Sequence, residues 1–457
     1  MRILFCLLLF LTTAFAGERP LNFILVLVDD MGATDCGCTG STFYRTPHID
    51  QLARDGMTFT RSLSACTVCS PTRAALLTGK YPARVHITDW IAGHGRPYAR
   101  LLPPDWCKEL PAAEVTLPEM LKTKTYATAS IGKWHLGNAA PEAHGFDLNI
   151  GGTAKGQPAA WFPPYKNAAL PDGPAGEFLT ERLTVEAERF MTARKDQPFF
   201  LYFPHFAVHT PLGGKKEVIE KYKAAAKDGA PQRNAVYASM VEGVDDSVGR
   251  LRAKVKELGL ADRTVFIFTS DNGGLINNPE KPITTNLGLR DGKGSAYEGG
   301  VRVPLLIQWP GLTAPGSRCA VPVISMDLCA TIAAASGMTT PKDGVDLRPL
   351  LSGGSIAERP LFWHYPHYHP GGASPYTAVL SGGWRLIRFY EDNRTELYNI
   401  KDDPEERKDL SSAHPDKVRA MSALIDAWLK ETGAQMPVPN PAFDSVKDRD
   451  PRQRWGS

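Results

Sequence analysis

The sequence predicts an α/β fold: a large central, mostly parallel sheet flanked by helices, followed by a smaller C-terminal domain of antiparallel sheet plus helix. Three short apolar runs carry the first part: Asn22–Val28 (NFILVLV), 198–204 (PFFLYFP) and 264–269 (TVFIFT). Continuous apolarity over strand length marks a strand buried on both faces. The second part rests on a change of pattern after about Arg359. There the strand-like stretches 384–390 and 396–400 flank a turn at 391–394, and Pro415–Thr432 follows with apolar residues at helical spacing.

In chain order, residues 1–16 read as a secretory signal peptide. Arg2 starts it, 3–11 is apolar, and Ala14-Phe15-Ala16 offers a small-x-small cleavage site. Residues 17–358 form the expected main domain, 359–436 the smaller one, and 437–457 a partly ordered surface tail. Bulk charge is nearly balanced, with 52 basic and 49 acidic side chains giving +3. That excludes a general field for nucleic acid or an anionic membrane. Past residue 16 no run approaches the ~20 apolar residues of a membrane span. The 37 prolines and 41 glycines predict many ordered loops, which is where sites are built. Of eight cysteines, six would remain after removal of Cys6 and modification of Cys69, and their spacing fixes no pairing.

The first strand ends directly in Asp29 and Asp30. Ligands of open α/β sheets bind at the carboxyl ends of strands, so the pair is a candidate for a hard divalent cation. Thr46 to Gly56 reads as a helix with a glycine stop, and its His48 as structural. Cys66 to Lys80 (CTVCSPTRAALLTGK) places Cys69 before a proline suited to a first helical turn and an apolar run that continues the helix. Free backbone N–H groups and the helix dipole favour an anion there, and Arg73 adds charge one turn on. The strand candidate 126–131 delivers GKWHLG, with Lys133 and His135 on one face if extended. The glycine- and proline-rich stretch 151–176, holding Trp161, Phe162 and Tyr165, reads as a long loop that either lines a sugar site or covers the sheet. After 198–204 come His205 and His209. A long helix is expected over about 234–258, with an apolar core stripe. The strand 264–269 ends at Asp271 and Asn272, and 292–311 supplies Lys293.

Cys69-x-Pro71-x-Arg73 followed by Thr78-Gly79-Lys80, the Asp29-Asp30 pair, the GKWHLG element, His209-Thr210-Pro211 and the GKGSAYEGGVRVP segment together resemble type I sulfatases of the alkaline phosphatase superfamily. The resemblance covers nearly all of the chain after residue 16. It implies that a maturation enzyme oxidises Cys69 to formylglycine, whose hydrate attacks sulfur in line with the departing alcohol. It further implies one Ca²⁺, held by Asp29, Asp30, Asp271, Asn272 and the Cys69-derived side chain, three carboxylates and an amide suiting Ca²⁺ better than zinc. Arg73 would hold the formylglycine. Lys133, Lys293 and His209 would bind the sulfate, with His209 or Lys293 as the acid, and His135 would take the proton from the second hydroxyl. His209 is favoured over His205. The implied partner is a sulfate ester in an exported, periplasmic or secreted setting.

The run Phe362 to His369 (FWHYPHYH) resembles a branch of bacterial carbohydrate sulfatases. With Trp161, its residues Trp363, His364, Tyr365, His367 and Tyr368 either contact a sulfated sugar or pack between the two domains. Many relatives carry an Arg before a Gly-x-Trp-Lys-Leu hairpin. Here Leu380 stands there and Arg385 replaces the Lys, so a contact made by that Arg elsewhere is expected to be missing. Two alternatives stay open: a phosphate or phosphonate monoester hydrolase of the same superfamily, and a non-catalytic protein that binds sulfated glycans through an unmodified Cys69.

Overall fold

The computed structural model describes residues 20–276, 283–451 and 453–455, so the expected signal peptide lies outside the described residues. Eight strands form the main sheet: β1 (Asn22–Val28), β2 (Met57–Phe59), β3 (Ala127–Ile131), β4 (Leu148–Ile150), β5 (Phe199–Pro204), β6 (Thr264–Ser270), β7 (Leu305–Gln308) and β8 (Ser317–Cys319). Their spatial order is β8-β2-β7-β6-β1-β5-β3-β4. β1 sits between β5 and β6, parallel to both, and β3 runs parallel to β5 and β4. Only β7 runs against its neighbours β2 and β6, so the sheet is mixed but mostly parallel.

Successive side chains of a strand face opposite sides. On one face Ile24, Val26 and Val28 pack with helices α1 (Pro47–Asp55), α3 (Leu179–Ala193) and α4 (Ala235–Glu257). On the other, Phe23, Leu25 and Leu27 pack with α2 (Cys69–Thr78) and α5 (Met326–Ala335). This double coverage is why β1 is apolar at every position from Phe23 to Val28. The expected long helix is α4, and Asn234 caps it by accepting from the N–H groups of Val236 and Tyr237.

The C-terminal part forms a second sheet, β9 (Leu361–Tyr365), β10 (Tyr376–Ser381), β11 (Trp384–Phe389) and β12 (Thr395–Asn399), antiparallel throughout. Helix α6 (Pro415–Thr432) covers it through Met421, Ile425 and Trp428. Sequence reading anticipated β11, β12 and α6 but not β9 or β10.

The described residues of the tail are mostly exposed, and several contacts tie the segment to the main domain. Val438–Pro439 pairs antiparallel with Leu101–Leu102, and the Asn440 amide donates to the carbonyls of Pro97 (2.9 Å) and Ala99 (2.7 Å). Arg96 donates to both carboxylate oxygens of Asp448, at 2.7 and 2.8 Å.

Candidate active site

Because β1, β3, β5 and β6 are parallel, their carboxyl ends open onto one edge of the sheet. Asp29 and Asp30 leave β1, Asp271 and Asn272 leave β6, Lys133 and His135 follow β3, and His205 and His209 follow β5. All the predicted site residues come together there with Cys69, Arg73 and Lys293.

Cys69 is the first residue of α2 and is buried. Arg73 is fully buried; its Nε and Nη2 donate to Asp271 Oδ2 at 3.0 and 2.7 Å, and its Nη1 donates to the Lys133 carbonyl at 2.9 Å. Lys133 Nζ donates to Asp29 Oδ2 at 2.7 Å. Lys293 Nζ lies 2.7 Å from Asp30 Oδ1 and 3.7 Å from Cys69 Sγ. His209 Nε2 is 3.6 Å from Asp30 Oδ2. Lys293, which a loop position would ordinarily leave in water, is only 7 % exposed.

The electrostatics follow from burial and pairing. Burial, with Asp271 and Asp30 nearby, pushes the Asp29 carboxyl up to about 8 despite Lys133 and Arg73. Burial acts in the same direction on Asp30, but Lys293, His209 and Lys133 outweigh it and hold that carboxyl below the usual carboxylate range. Burial raises the Cys69 thiol to about 11, against the pull of Lys133 and Lys293. Burial also lowers His209 to about 3, helped by Lys293, and it holds His135 well below its ordinary value. Both imidazoles are neutral at neutral pH.

Three polar atoms in this cluster are buried without a hydrogen-bond partner: Asp29 Oδ1, Asn272 Oδ1 and His135 Nδ1. Orphaned buried acceptors are costly unless a ligand completes them. Ligand atoms of Asp29, Asp30, Cys69 and His209 lie within 4.8 Å of one another. With Asp271 and Asn272 at the neighbouring strand end, the carboxylates of Asp29 and Asp30 supply oxygen donors of the kind a hard divalent cation takes. Asp30 and His135 take positive φ, 63° and 59°, a conformation that costs energy for residues with a Cβ and that clusters at functional sites.

A cavity of about 920 Å³ opens over Cys69, His135, His209 and Lys293, and its wall includes Trp90, His94, Lys108, Lys155, Gln157 and His369. Sequence reading did not single out the first five of these. They lie in loops without a strand end to mark them; Lys155 and Gln157 fall in the stretch 151–176, for which a site-lining role was one of the two expectations, while for Trp90 and His94 the signal was a Trp and a His beside the glycines of WIAGHG.

The aromatic candidates resolve mostly as packing. Trp161 is buried, and its indole donates to the Pro211 carbonyl at 2.7 Å. Trp363 donates to the Ser64 carbonyl at 2.8 Å, His364 bonds Thr377 and the Gln435 carbonyl, and the Tyr365 hydroxyl donates to Asp89 at 2.6 Å. His367 bonds Thr88 at 2.8 Å, and Tyr368 bonds Glu391 at 3.1 Å. From the FWHYPHYH run only His369 reaches the cavity. His205 is fully buried, stacks edge-on against Phe203 and stays out of the cavity wall, while His48 is exposed at the start of α1.

Arg385 makes contacts of its own. It is buried, donates to the Ala296 carbonyl at 2.7 Å, pairs with Glu406 at 3.3 Å and lies over the Trp363 ring. It thereby ties the second sheet to the segment that carries Lys293. All seven described cysteines are free.

Residues 21–338 match the family model "Sulfatase", and residues 288–432 match "N-sulphoglucosamine sulphohydrolase, C-terminal". The chain is 32% identical to arylsulfatase A of Homo sapiens over 479 residues, covering 92% of this chain and 89% of that protein. It is 35% identical to N-acetylgalactosamine-6-sulfatase of Homo sapiens over 381 residues, 77% of this chain and 69% of the relative. Among solved structures, Ps i-CgsB in complex with k-i-k-neocarrahexaose superposes with a TM-score of 0.75 at 27% identity, covering 95% of this chain and 98% of the other. Among the described residues no helix is long and apolar enough to cross a membrane. The strand-end constellation and the matches along nearly the whole chain agree: this protein belongs to the sulfatase family and is a sulfuric ester hydrolase.

Proposed function

We propose that the chain is an exported sulfatase that removes sulfate from a carbohydrate, using formylglycine made from Cys69 and one Ca²⁺. The observation that carries it is a set of buried, unsatisfied acceptors, Asp29 Oδ1, Asn272 Oδ1 and His135 Nδ1, in the same strand-end cluster as a cysteine at a helix N-terminus. Asp29, Asp30, Asp271 and Asn272, with the Cys69-derived side chain, would hold Ca²⁺, which when bound supplies Lewis-acid stabilisation of negative charge at the nucleophile and sulfate.

The chain's own groups do the rest. Arg73 clamps Asp271 with two hydrogen bonds and keeps a permanent positive charge beside the nucleophile. Lys133 and Lys293 neutralise the sulfate oxygens. Burial disfavours the Lys293 charge, but Asp30 and the other nearby negative groups outweigh it and raise its pKa, so the ammonium keeps its proton and its charge. Lys293, with His209 beside it, is placed to be the acid toward the leaving oxygen. His135 Nε2 bonds the Ile91 carbonyl, an acceptor, so the ring proton sits on Nε2 and Nδ1 is left as a base. That atom suits removal of the proton that releases sulfate from the nucleophile.

A carbohydrate fits the cavity wall better than a steroid. Among the described residues the lining contains Lys108, Lys155, Asn138 and Gln157 and no Asp or Glu, so it offers hydrogen bonds and positive charge to a hydroxylated anion. The test is peptide mass across Cys69 after expression in a host with the maturation enzyme, then turnover of sulfated sugars, a steroid sulfate and phosphate esters. Formylglycine lowers the mass by about 18 Da relative to the thiol, a difference set by covalent composition. An unmodified, inactive Cys69 would leave the glycan-binding reading, and a preference for phosphate or phosphonate esters would leave the hydrolase alternative.

A further inference from the structure

The loop carrying Trp90 and His94 is held from two sides. At the catalytic side Ser70 Oγ accepts from the Ile91 N–H at 3.0 Å and donates to the His135 carbonyl at 2.9 Å. At the far side the C-terminal tail grips it through the Arg96–Asp448 pair, the Asn440 amide and the Trp455 ring, whose centroid lies 5.5 Å from that of His94. The Arg96 guanidinium itself sits over the Tyr368 ring at 4.3 Å. Ring contacts thus run unbroken from Trp455 to His94, to Trp90 at 4.9 Å and to His135 at 6.3 Å.

The tautomer of His94 is fixed by its neighbour. The Trp90 indole N–H, which can only donate, points to His94 Nδ1 at 2.8 Å. Nδ1 therefore carries no proton, and Nε2 does. Among the described residues nothing accepts from that Nε2–H, although His94 is half-buried in the cavity wall. Burial and the charge of Lys293 hold its pKa down to about 4, so the ring is a neutral donor at neutral pH. His369, edge-on to it at 5.1 Å, accepts the Gly371 N–H at its own Nδ1, so the two rings back each other rigidly.

We propose that His94 is a specificity-determining residue, donating from Nε2 to a hydroxyl or other acceptor oxygen of the bound sugar, and that the tail, through Asp448 and Trp455, is its positioning element. The inference rests on the carbohydrate reading above. A fixed donor that finds no acceptor in a smaller ligand is left unpaired, so it discriminates between substrates by the cost of an unmade hydrogen bond.

The experiment compares kcat/KM on a sulfated sugar with that on an aryl sulfate, which offers no sugar oxygen, in the full-length matured enzyme. His94→Ala is expected to lose about tenfold or more on the sugar beyond whatever it loses on the aryl sulfate, mostly through KM. Trp455→Ala and Asp448→Asn should shift the same ratio in the same direction, about threefold to tenfold, with Trp455→Phe restoring it. Equal losses on both substrates, or no change in the ratio, would overturn the proposal, and melting temperatures identify a variant that merely unfolds. Trp455→Ala, remote from the sheet, supplies the readout should His94→Ala not fold. A wild-type enzyme that cleaves the aryl sulfate but no sugar removes the carbohydrate reading and this inference together; parallel losses in an enzyme active on sugar remove the inference alone.

Discussion

The strand-end cluster and the cavity rim are built on different principles. In the cluster Asp29, Asp30, Lys133, Asp271 and Asn272 sit within two residues of a core strand, Cys69 and Arg73 lie on the first turns of α2, and Asp29, Asp30, Arg73, Lys133, Asp271 and Asn272 are essentially without solvent exposure. Backbone geometry places them, and mutual pairing offsets their burial. The rim is assembled from pieces far apart in sequence: the loop with Trp90 and His94, the stretch 154–159, His369 and the tail. On the proposed reading, chemistry would be housed in the buried, strand-anchored cluster and recognition at the rim that long-range contacts assemble.

That contrast can be broken most severely at its centre. Cys69→Ala should abolish turnover, a loss on the order of 10⁴-fold or more, while leaving the melting temperature close to that of the parent. Asp271→Asn should cost about 10²-fold or more in kcat/KM. Added Ca²⁺ should raise the melting temperature of the parent, by about 2.7 kcal/mol of stability at a hundredfold excess over Kd, and that increment should shrink in Asp271→Asn. A Ca²⁺ response equal in both proteins would remove Asp271 from the metal site.

Arg385 lies between the two regions. Arg385→Ala leaves Glu406 buried without its charge partner, so it should destabilise the protein by about 3–5 kcal/mol, measured by urea unfolding. It should also lower kcat on every substrate alike, because its Ala296 contact steadies the segment bearing Lys293. The substrate-dependent losses expected at His94 would differ from this in kind.

The effect that is smallest at neutral pH concerns His205, which lies beside the cluster without joining it. Burial alone lowers its pKa to about 3, and neither ring nitrogen has a partner. Between pH 6.5 and 3 the unfolded chain binds a proton that the folded chain refuses, so stability rises with pH through that window and falls on acidification. The contribution is about 1.4 kcal/mol per pH unit below 6.5. His205→Phe should flatten the acid limb of a stability–pH curve by that one proton and leave activity at neutral pH nearly unchanged.

Sequence and structure agree best where local rules act alone. The apolar runs became β1, β5 and β6 within a residue, because strands buried on both faces carry a continuous apolar centre with polar residues only at their ends. Pro415–Thr432 appeared as written, because its apolar spacing had a single face to satisfy. The expectation for the FWHYPHYH run stayed divided because a buried aromatic and a ligand-facing one have the same composition. Their neighbours, Ser64, Asp89 and Thr88, are some 280 residues away in the chain. The missing-Arg expectation likewise could not foresee that Arg385 would find Glu406 and Ala296.

By itself, then, the sequence determined the parallel core, the carboxylates and amide at its strand ends, and the cysteine at a helix start, since period, run length and capping are properties of neighbouring residues. Only the tertiary structure decided that Lys293 is buried against Asp30, that three acceptors are left unsatisfied around Cys69, and that the tail returns to grip the His94 loop. Each of these depends on segments that meet after chain folding, through hydrogen bonds and ring contacts that no local pattern encodes.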